Sequence, residues 1–580
     1  MKKIFLLLSI LCSTLTLSAG PIGESRARQI AEEFFAQHTT RSAGGAVTLT
    51  WAGDTIAEAA STEAELNNAL MYIYKRGEGN GFVVVAGDSN VNPIIAYALE
   101  GNIDTNDMAF ATRDILDAWC MQINAARKEQ TPISAQRSAT RSGDELLYDT
   151  ALWAQSDPYN WEAPEYDGFL SVTGCSATAM AIICYHNRWP NCGVGTTPEY
   201  SYYDAHNVIR TVPANTLGRA YDYNKMLADY NNGYTTTQGY AVAALMKDMG
   251  TSVKMSYHYT ESGASVFSNV QAFTNYFKYS KEAVLLCLDN YDVATWNQMM
   301  RENLKECGPT FYSGGSNAGG HAFVIDGYTY NDYFHINYGW GGSGNAWYLL
   351  PSIEFYVRQA AIFDLVPDKT GTTQYRDNLQ LMEASNGYDL WYGISTSATH
   401  YSVGDGYTVN IGGVYNVGAR PFSGNVSVVH CNRSGEWKEQ LYDFYISELP
   451  IEAGIIDTGY ITLNTSIEEG DTLRLYFRSE DSDEWEWIRT FGGFAQDKVL
   501  LWASAEEVAE TLAFHYDKTQ QAIFLESPNA LQAEMYYPNG DIETKEMMGH
   551  TYMYFEMNNR GEYTLNLHSG GQPYTLKLKL

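Results

Sequence analysis

Positive charge is scarce in this chain. Lys and Arg number 37 among 580 residues, against 68 Asp and Glu, for a net charge of −31. That balance argues against nucleic acid or an anionic membrane surface as a partner. Long apolar runs are scarce too. After Leu17 no segment supplies the ~18 uninterrupted apolar residues of a membrane span. The one early run, Ile4 to Leu17, follows Lys2 and Lys3 and precedes the small residue Ala19, so residues 1–19 read as a signal peptide. Cys12 sits inside that run after Leu11, not after a small residue, which argues against a lipid anchor. The mature chain is expected to be secreted, extracellular or on a cell surface. Metal-binding spacings are also missing. No His-Glu-x-x-His occurs, and Cys184-x-His186 with Cys192 matches no standard zinc pattern, so neither metal nor cofactor is expected.

Cysteine is sparse and irregularly spaced. Outside the signal there are Cys120, Cys175, Cys184, Cys192, Cys287, Cys307 and Cys431, which do not form a disulfide framework. An odd count in an exported protein leaves a thiol unpaired or paired between chains, and one free thiol with a task is the economical reading.

What is present points to several domains, because a chain this long outgrows one core. Aromatics at 14%, with 44 Tyr and 50 Gly, suit a β-rich secreted protein. Residues 20–145 read as a small α+β domain. Ala27, Ile30, Ala31, Phe34 and Phe35 mark an amphipathic helix, strand-like runs follow at Leu70–Tyr74, Phe82–Val85 and Ile94–Leu99, and a second helix is expected from Met108 to Ala126. Residues 127–145, with Arg127, Lys128, Arg137 and Arg141 among small and polar residues, read as an exposed linker of the kind where proteolytic nicking concentrates. Residues 146–368 are mixed α and β. Helices are expected at Ala241–Met249, ended by Gly250, and at Trp296–Glu306. Beyond, residues 369–498 show short alternating runs at Tyr407–Val414, Asn425–Val429, Ile455–Leu463 and Thr472–Phe477, the pattern of an antiparallel, Ig-like sandwich. Residues 499–580 form a further β-rich piece, and no long repeat is apparent.

The chemistry centres on Thr173 to His186. Ala177, Met180, Ala181 and Cys184 follow helical spacing, while Ala179, Ile182 and Ile183 fill the other face, so this helix is expected to be buried all round. Thr173 is a candidate N-cap, which puts Cys175 in the first turn, where the helix's positive end favours a thiolate. A thiol nucleophile needs a base, a group to orient the base, and oxyanion donors. Of His186, His206, His258, His321 and His335, His321 has the best setting, opening a strand directly after Gly319-Gly320. Asn337 lies on the returning strand and can bring its amide to the His321 ring. His335 shares a strand face with Asn337 and stays open as an alternative base. Gln155, upstream of Cys175, is a candidate oxyanion donor.

These motifs resemble the streptopain family of papain-like cysteine peptidases. The matching stretches are Trp153 to Asn160, Thr173 to Ala179, Tyr185 to Asn187, Leu245 to Gly250, Gly319 to Gly327 and Asn337 to Gly342, in family order. Gly81 to Asp88 resembles the family's inhibitory propeptide. The resemblance implies an α+β fold class: a papain-like domain with an N-terminal α+β propeptide and C-terminal sandwich domains. It implies a zymogen of a cysteine endopeptidase acting on proteins or peptides, with its own propeptide as inhibitor. It assigns Cys175 as nucleophile, His321 as base, Asn337 as the residue orienting the imidazole, Gln155 as oxyanion donor and Trp340 as a shield. Gly320 and Ala264 fall where the family contacts substrate backbone. Tyr338 departs from the family's usual Trp, so altered packing over the His–Asn pair is expected.

Two other readings compete. A transglutaminase-like or amidase enzyme would commonly use Asp as orienter, where this chain has Asn337. A surface adhesin with an inactive peptidase core would draw on the β-rich C-terminal third. Residues 499–580 resemble secretion sorting domains through the Tyr-Pro-Asn-Gly turn at 537–540 and the Gly-x-Tyr-x-Leu ending, which would allow surface attachment.

Overall fold

The structure is a computed structural model. It describes residues 20–579 except 39–44, 56–57, 102, 104–109, 130–144, 205, 317–318, 351–352, 354, 356, 386–389, 469, 493–494, 504–511, 518–521, 528–530, 548–550, 558–560 and 569–573. The signal reading of residues 1–19 and the linker arginines Arg137 and Arg141 lie outside the described residues. Two compact units make up the chain: 1–154 with 229–231 and 315–356, and 155–228 with 232–314 and 357–580. Residues 146–368 contribute to both.

In the first unit the expected amphipathic helix runs Glu24–His38 and buries Ala27, Ala31, Phe34 and Phe35. Four antiparallel strands carry its partner face: Val47–Thr55, Met71–Arg76, Phe82–Ala86 and Ile94–Ala98. Their Tyr72, Tyr74, Val83, Val85 and Tyr97 complete that core. The second helix is Phe110–Glu129, and Arg127 in its last turn donates to the buried Asp88 carboxylate at 3.0 Å. The strand Ile94–Ala98 does not end the sheet. It pairs antiparallel with Ala346–Tyr348, Tyr97 opposite Trp347 and Ala96 opposite Tyr348. From there the ladder continues through Phe334–Asn337 to Gly319–Tyr328, which also takes the short strand Leu146–Leu147. The Tyr97 and Trp347 rings stack at 6.1 Å, and the Tyr333 hydroxyl donates to the Ile94 carbonyl at 2.7 Å.

In the second unit the helix Cys175–Asn187 is buried from Ser176 to Tyr185, as its all-round apolar pattern requires, and packs on Thr236–Ser252 and Phe267–Asn275. The helix Thr236–Ser252 starts at a capping box of Thr235 and Gln238. It runs through Gly250, which sequence spacing had placed at its end. The helix Val293–Cys307 is capped by Asp292.

The β-rich region 379–500 has two five-stranded sheets around one core that includes Leu381, Ile411, Val428, Leu475 and Ile488, and a two-stranded pair of Glu383–Ser385 with Leu390–Tyr392. One sheet joins Ile394–Thr396, Gly406–Asn416, Leu379–Leu381, Gly454–Thr462 and Arg489–Thr490. The other joins Trp437–Leu449, Phe422–Cys431, Thr472–Ser479, Glu486–Trp487 and Lys498–Leu500. The expectation of an antiparallel arrangement is corrected: Leu379–Leu381 and Arg489–Thr490 run parallel, and the isolated bridge of Gly393 with Gln496 is parallel too. Residues 486–490 cross from one sheet to the other without a turn, so they join the second in the direction they already have. Residues 513–579 form two smaller sheets on their own core, with the 537–540 turn linking Leu531–Tyr536 to Ile542–Met547. Among the described residues no helix is long and apolar enough to cross a membrane.

Candidate active site

The candidate residues divide between the two units, and each group is built separately. In the second unit Cys175 is the first residue of its helix and is half-buried. The expected cap, Thr173, is not the N-cap. Gly174 takes that place at φ 86°, while the Thr173 hydroxyl bonds Thr178 Oγ1 at 3.0 Å. Glycine is required there twice over, because a Cβ would also stand 2.5 Å from Met255 Sδ. No side chain caps this helix start. The neighbouring loops are tied down by main-chain bonds. Thr173 N–H donates to the Gln155 carbonyl at 3.0 Å, and Val172 N–H to the His258 carbonyl at 3.0 Å. Ser262 Oγ donates to the Val172 carbonyl at 2.8 Å. Gln155 and the segment before Ala264 are thereby both fastened to the residues that precede Cys175.

In the first unit His321 lies near the start of Gly319–Tyr328, just after the exposed Gly320, and is itself buried. Aromatic rings surround it: Trp340 at 4.8 Å, Phe355 at 5.0 Å, Phe323 at 5.9 Å and Tyr338 at 6.0 Å between centroids. Burial among them pushes the imidazole down to about 4, so without a partner anion the ring is neutral at physiological pH. Its Nε2 lies 2.9 Å from the Tyr338 carbonyl. A carbonyl only accepts, so Nε2 carries the proton and Nδ1 keeps the basic lone pair.

Asn337 is fully buried on the adjacent strand, but its side chain does not hydrogen-bond to His321 here. Its amide donates to Thr150 Oγ1 and to the Ala151 carbonyl, both at 2.9 Å, and its Oδ1 accepts from Gly339 N–H at 3.1 Å. Tyr338 stacks on Trp340 at 4.7 Å with an interplanar angle of 11°, so the pair forms one wall of the His321 enclosure. His335 does not line that enclosure's hydrogen bonds. Its Nδ1 pairs with Asp326 Oδ1 at 2.6 Å, and Asp326 Oδ2 accepts from the Thr150 hydroxyl. Sequence reading missed Thr150 and Asp326. The available signal was a carboxylate closing the apolar run of Gly319–Tyr328, where only a paired charge is tolerated.

None of the seven described cysteines is in a disulfide. Burial pushes Cys120, Cys184 and Cys287 up to about 12 and Cys307 to about 11, which makes those thiols inert at neutral pH.

Residues 153–348 match the model of the Peptidase C10 family, and residues 19–123 match that of the Spi protease inhibitor. The streptopain resemblance read from the motifs is thus borne out, and with it the cysteine-peptidase class. The chain is similar to the thiol protease/hemagglutinin PrtT of Porphyromonas gingivalis, with 32% identity over 360 residues, covering 60% of this chain and 40% of the relative's own length. It is also similar to streptopain of Streptococcus pyogenes, with 29% identity over 307 residues, 50% of this chain and 76% of the relative. A solved mutant fragment of prointerpain A from Prevotella intermedia aligns at TM-score 0.45 and 23% identity over 55% of this chain and 99% of its own.

Proposed function

We propose that this chain is a secreted cysteine endopeptidase made as a zymogen, in which Cys175 and His321 act as a thiolate–imidazolium pair. The observation that carries the reading is the C10 match over a segment that contains Cys175, His321, Asn337 and Trp340 in one chain with an inhibitor-type segment before it. The chemistry of each residue supports it. Cys175 opens a buried helix, whose positive end favours both a thiolate and a developing oxyanion. The Gln155 side chain adds a donor to that oxyanion.

His321 Nδ1 takes the thiol proton, Cys175 Sγ attacks the peptide carbonyl, and the imidazolium protonates the leaving amine. Water then releases the acyl-enzyme. Burial disfavours a lone imidazolium at His321, and the neighbouring thiolate charge offsets that cost. In the described arrangement the Nε2–H rests on the Tyr338 carbonyl. In the working enzyme Asn337 Oδ1 offers the alternative acceptor, Trp340 keeps water from the pair, and Gly320 and Ala264 bind substrate main chain. Residues 20 to about 145 act as the inhibitor, and residues 369–580 form Ig-like and sorting-type modules that export the protein or hold it at the cell surface.

Cys175→Ala should abolish hydrolysis of a peptide library while the chain stays folded. Hydrolysis that survives this change, with contaminating proteases excluded, would falsify the assignment. His321→Ala should match it, whereas retained turnover there and loss in His335→Ala would move the base to His335.

A further inference from the structure

Asp326 is 2% exposed, and it sits at an irregularity in the ladder, where Ile325 opposes Ile336 but Gly327 opposes His335. The extra residue of such a bulge has its side chain re-aimed, a device common beside active sites. Gly327 lets the incoming chain pass close, since a Cβ there would stand 2.7 Å from the Leu146 carbonyl. The Leu146–Leu147 pairing and a 2.8 Å bond from Tyr148 N–H to the Asp326 carbonyl then deliver Thr150 to the Asp326 carboxylate.

We propose that Asp326 sets the direction of a hydrogen-bond chain, through Thr150, Asn337 and Gly339 N–H, that holds the acceptor for the His321 imidazole. Asp326 and Thr150 are then positioning residues for peptide hydrolysis. The inference rests on the peptidase reading of His321 and Asn337. Its logic is one of donors and acceptors. A carboxylate only accepts, so Asp326 takes the single hydrogen of the Thr150 hydroxyl and the Nδ1–H of His335. With its hydrogen spent, Thr150 can only accept from Asn337, which must present its NH2 there and to the Ala151 carbonyl. Both amide hydrogens are now used, and Asn337 Oδ1 is turned to the opposite side, where Gly339 N–H meets it.

That bond closes a turn across Tyr338. The Tyr338 N–H is held by Asn345 Oδ1 at 3.1 Å, and its carbonyl receives His321 Nε2–H. Whether the imidazole donates to the Tyr338 carbonyl or to the second lone pair of Asn337 Oδ1, the same chain fixes the acceptor. His335, the alternative base, becomes the outer clamp on Asp326.

The test measures kcat and KM on a fluorogenic peptide that the unsubstituted full chain cleaves, with thermal midpoints taken alongside. Thr150→Val should lower kcat about 10- to 100-fold and leave KM within about twofold, the pattern of misplaced catalytic groups with intact substrate binding. Thr150→Ser, which keeps the hydroxyl, should restore most of the rate. Asp326→Asn should resemble Thr150→Val, because an amide can offer a hydrogen and let the chain run backwards. In an Asn337→Ala background, Thr150→Val should cost little more, since both act through one amide. The proposal is overturned by full kcat in Thr150→Val, by no rescue with Ser, or by losses that multiply in the double variant. If Asp326→Asn does not fold, the Thr150 pair decides. Undiminished hydrolysis in Asn337→Ala overturns this inference alone, whereas undiminished hydrolysis in Cys175→Ala is a separate result that sinks the peptidase reading and this inference with it.

Discussion

Gly174 combines a left-handed backbone with a crowded Cβ position, and both act on the residue before the nucleophile. Gly174→Ala should destabilise the chain by about 2–4 kcal/mol, adding ~1–2 for the positive φ to the cost of overpacking. Urea melts measure this, and a change below about 0.5 kcal/mol, ordinary for surface substitutions, would show that the loop relaxes freely. His321 makes a prediction in pH. Its folded value of about 4 lies below the ordinary 6.5, so between those limits the unfolded chain binds the proton more readily. The stability contributed by the neutral buried ring is therefore complete above about pH 6.5 and lost as pH falls through 4, by at most about 3 kcal/mol. Melts of Cys175→Ala and of Cys175→Ala with His321→Phe, both without the partner thiolate, should converge or cross as pH drops across this window. Parallel curves would show that burial does not depress this histidine. Cys175, His321, Asn337 and Trp340 stand out in the sequence as candidates because each sits in a motif of fixed spacing. Thr150 and Asp326 do not, because they act through hydrogen bonds between distant strands, and their residue types suit many roles.

At the scale of single elements, glycine misled the sequence reading once. Gly250 reads as a helix stop, but Thr236–Ser252 continues past it, because a Cβ there would come 2.1 Å from the buried Tyr257 hydroxyl. The position serves packing. Gly250→Ala, which normally gains about 1 kcal/mol in a helix interior, should instead lose about 1–3 kcal/mol. Adding Tyr257→Phe should return much of that loss, and failure of the rescue would place the clash elsewhere. The helix Phe267–Asn275 was passed over because Val266 supplies no side-chain cap and Ser, Asn and Thr dilute its periodicity. The thirteen-residue strand Trp437–Leu449 was missed for a different reason. It shows only two fully buried positions, so its charged residues hide the alternation that betrayed its neighbours. The helix Glu24–His38 was legible because it presents one apolar face to its core, and the strands at 71–76, 82–86 and 94–98 because they are short continuous apolar runs, buried on both faces over most of their length.

At the scale of the whole chain, the N-terminal segment and the strands around His321 share one ladder within the first unit. If that segment inhibits, full-length wild type should shed about 14 kDa on standing, the mass of a domain of this size, while Cys175→Ala should remain intact. Tyr97→Ala, which removes the ring stacked on Trp347, should raise the activity of the full-length chain and speed its trimming. Equal activity of the uncut and trimmed forms would end the inhibitor assignment.

The pairing of Ile94–Ala98 with Ala346–Tyr348 has a consequence for the trimmed protein as well. Once the N-terminal piece departs, Ala346–Tyr348 becomes an open sheet margin, with unpaired peptide groups flanked by Trp347 and Tyr348. Such margins recruit any extended chain that can complete them. Release should therefore be slow and reversible until the severed piece is digested. Mature protein freed of it should self-associate as concentration rises, and adding the isolated piece back should return it to a single-chain size.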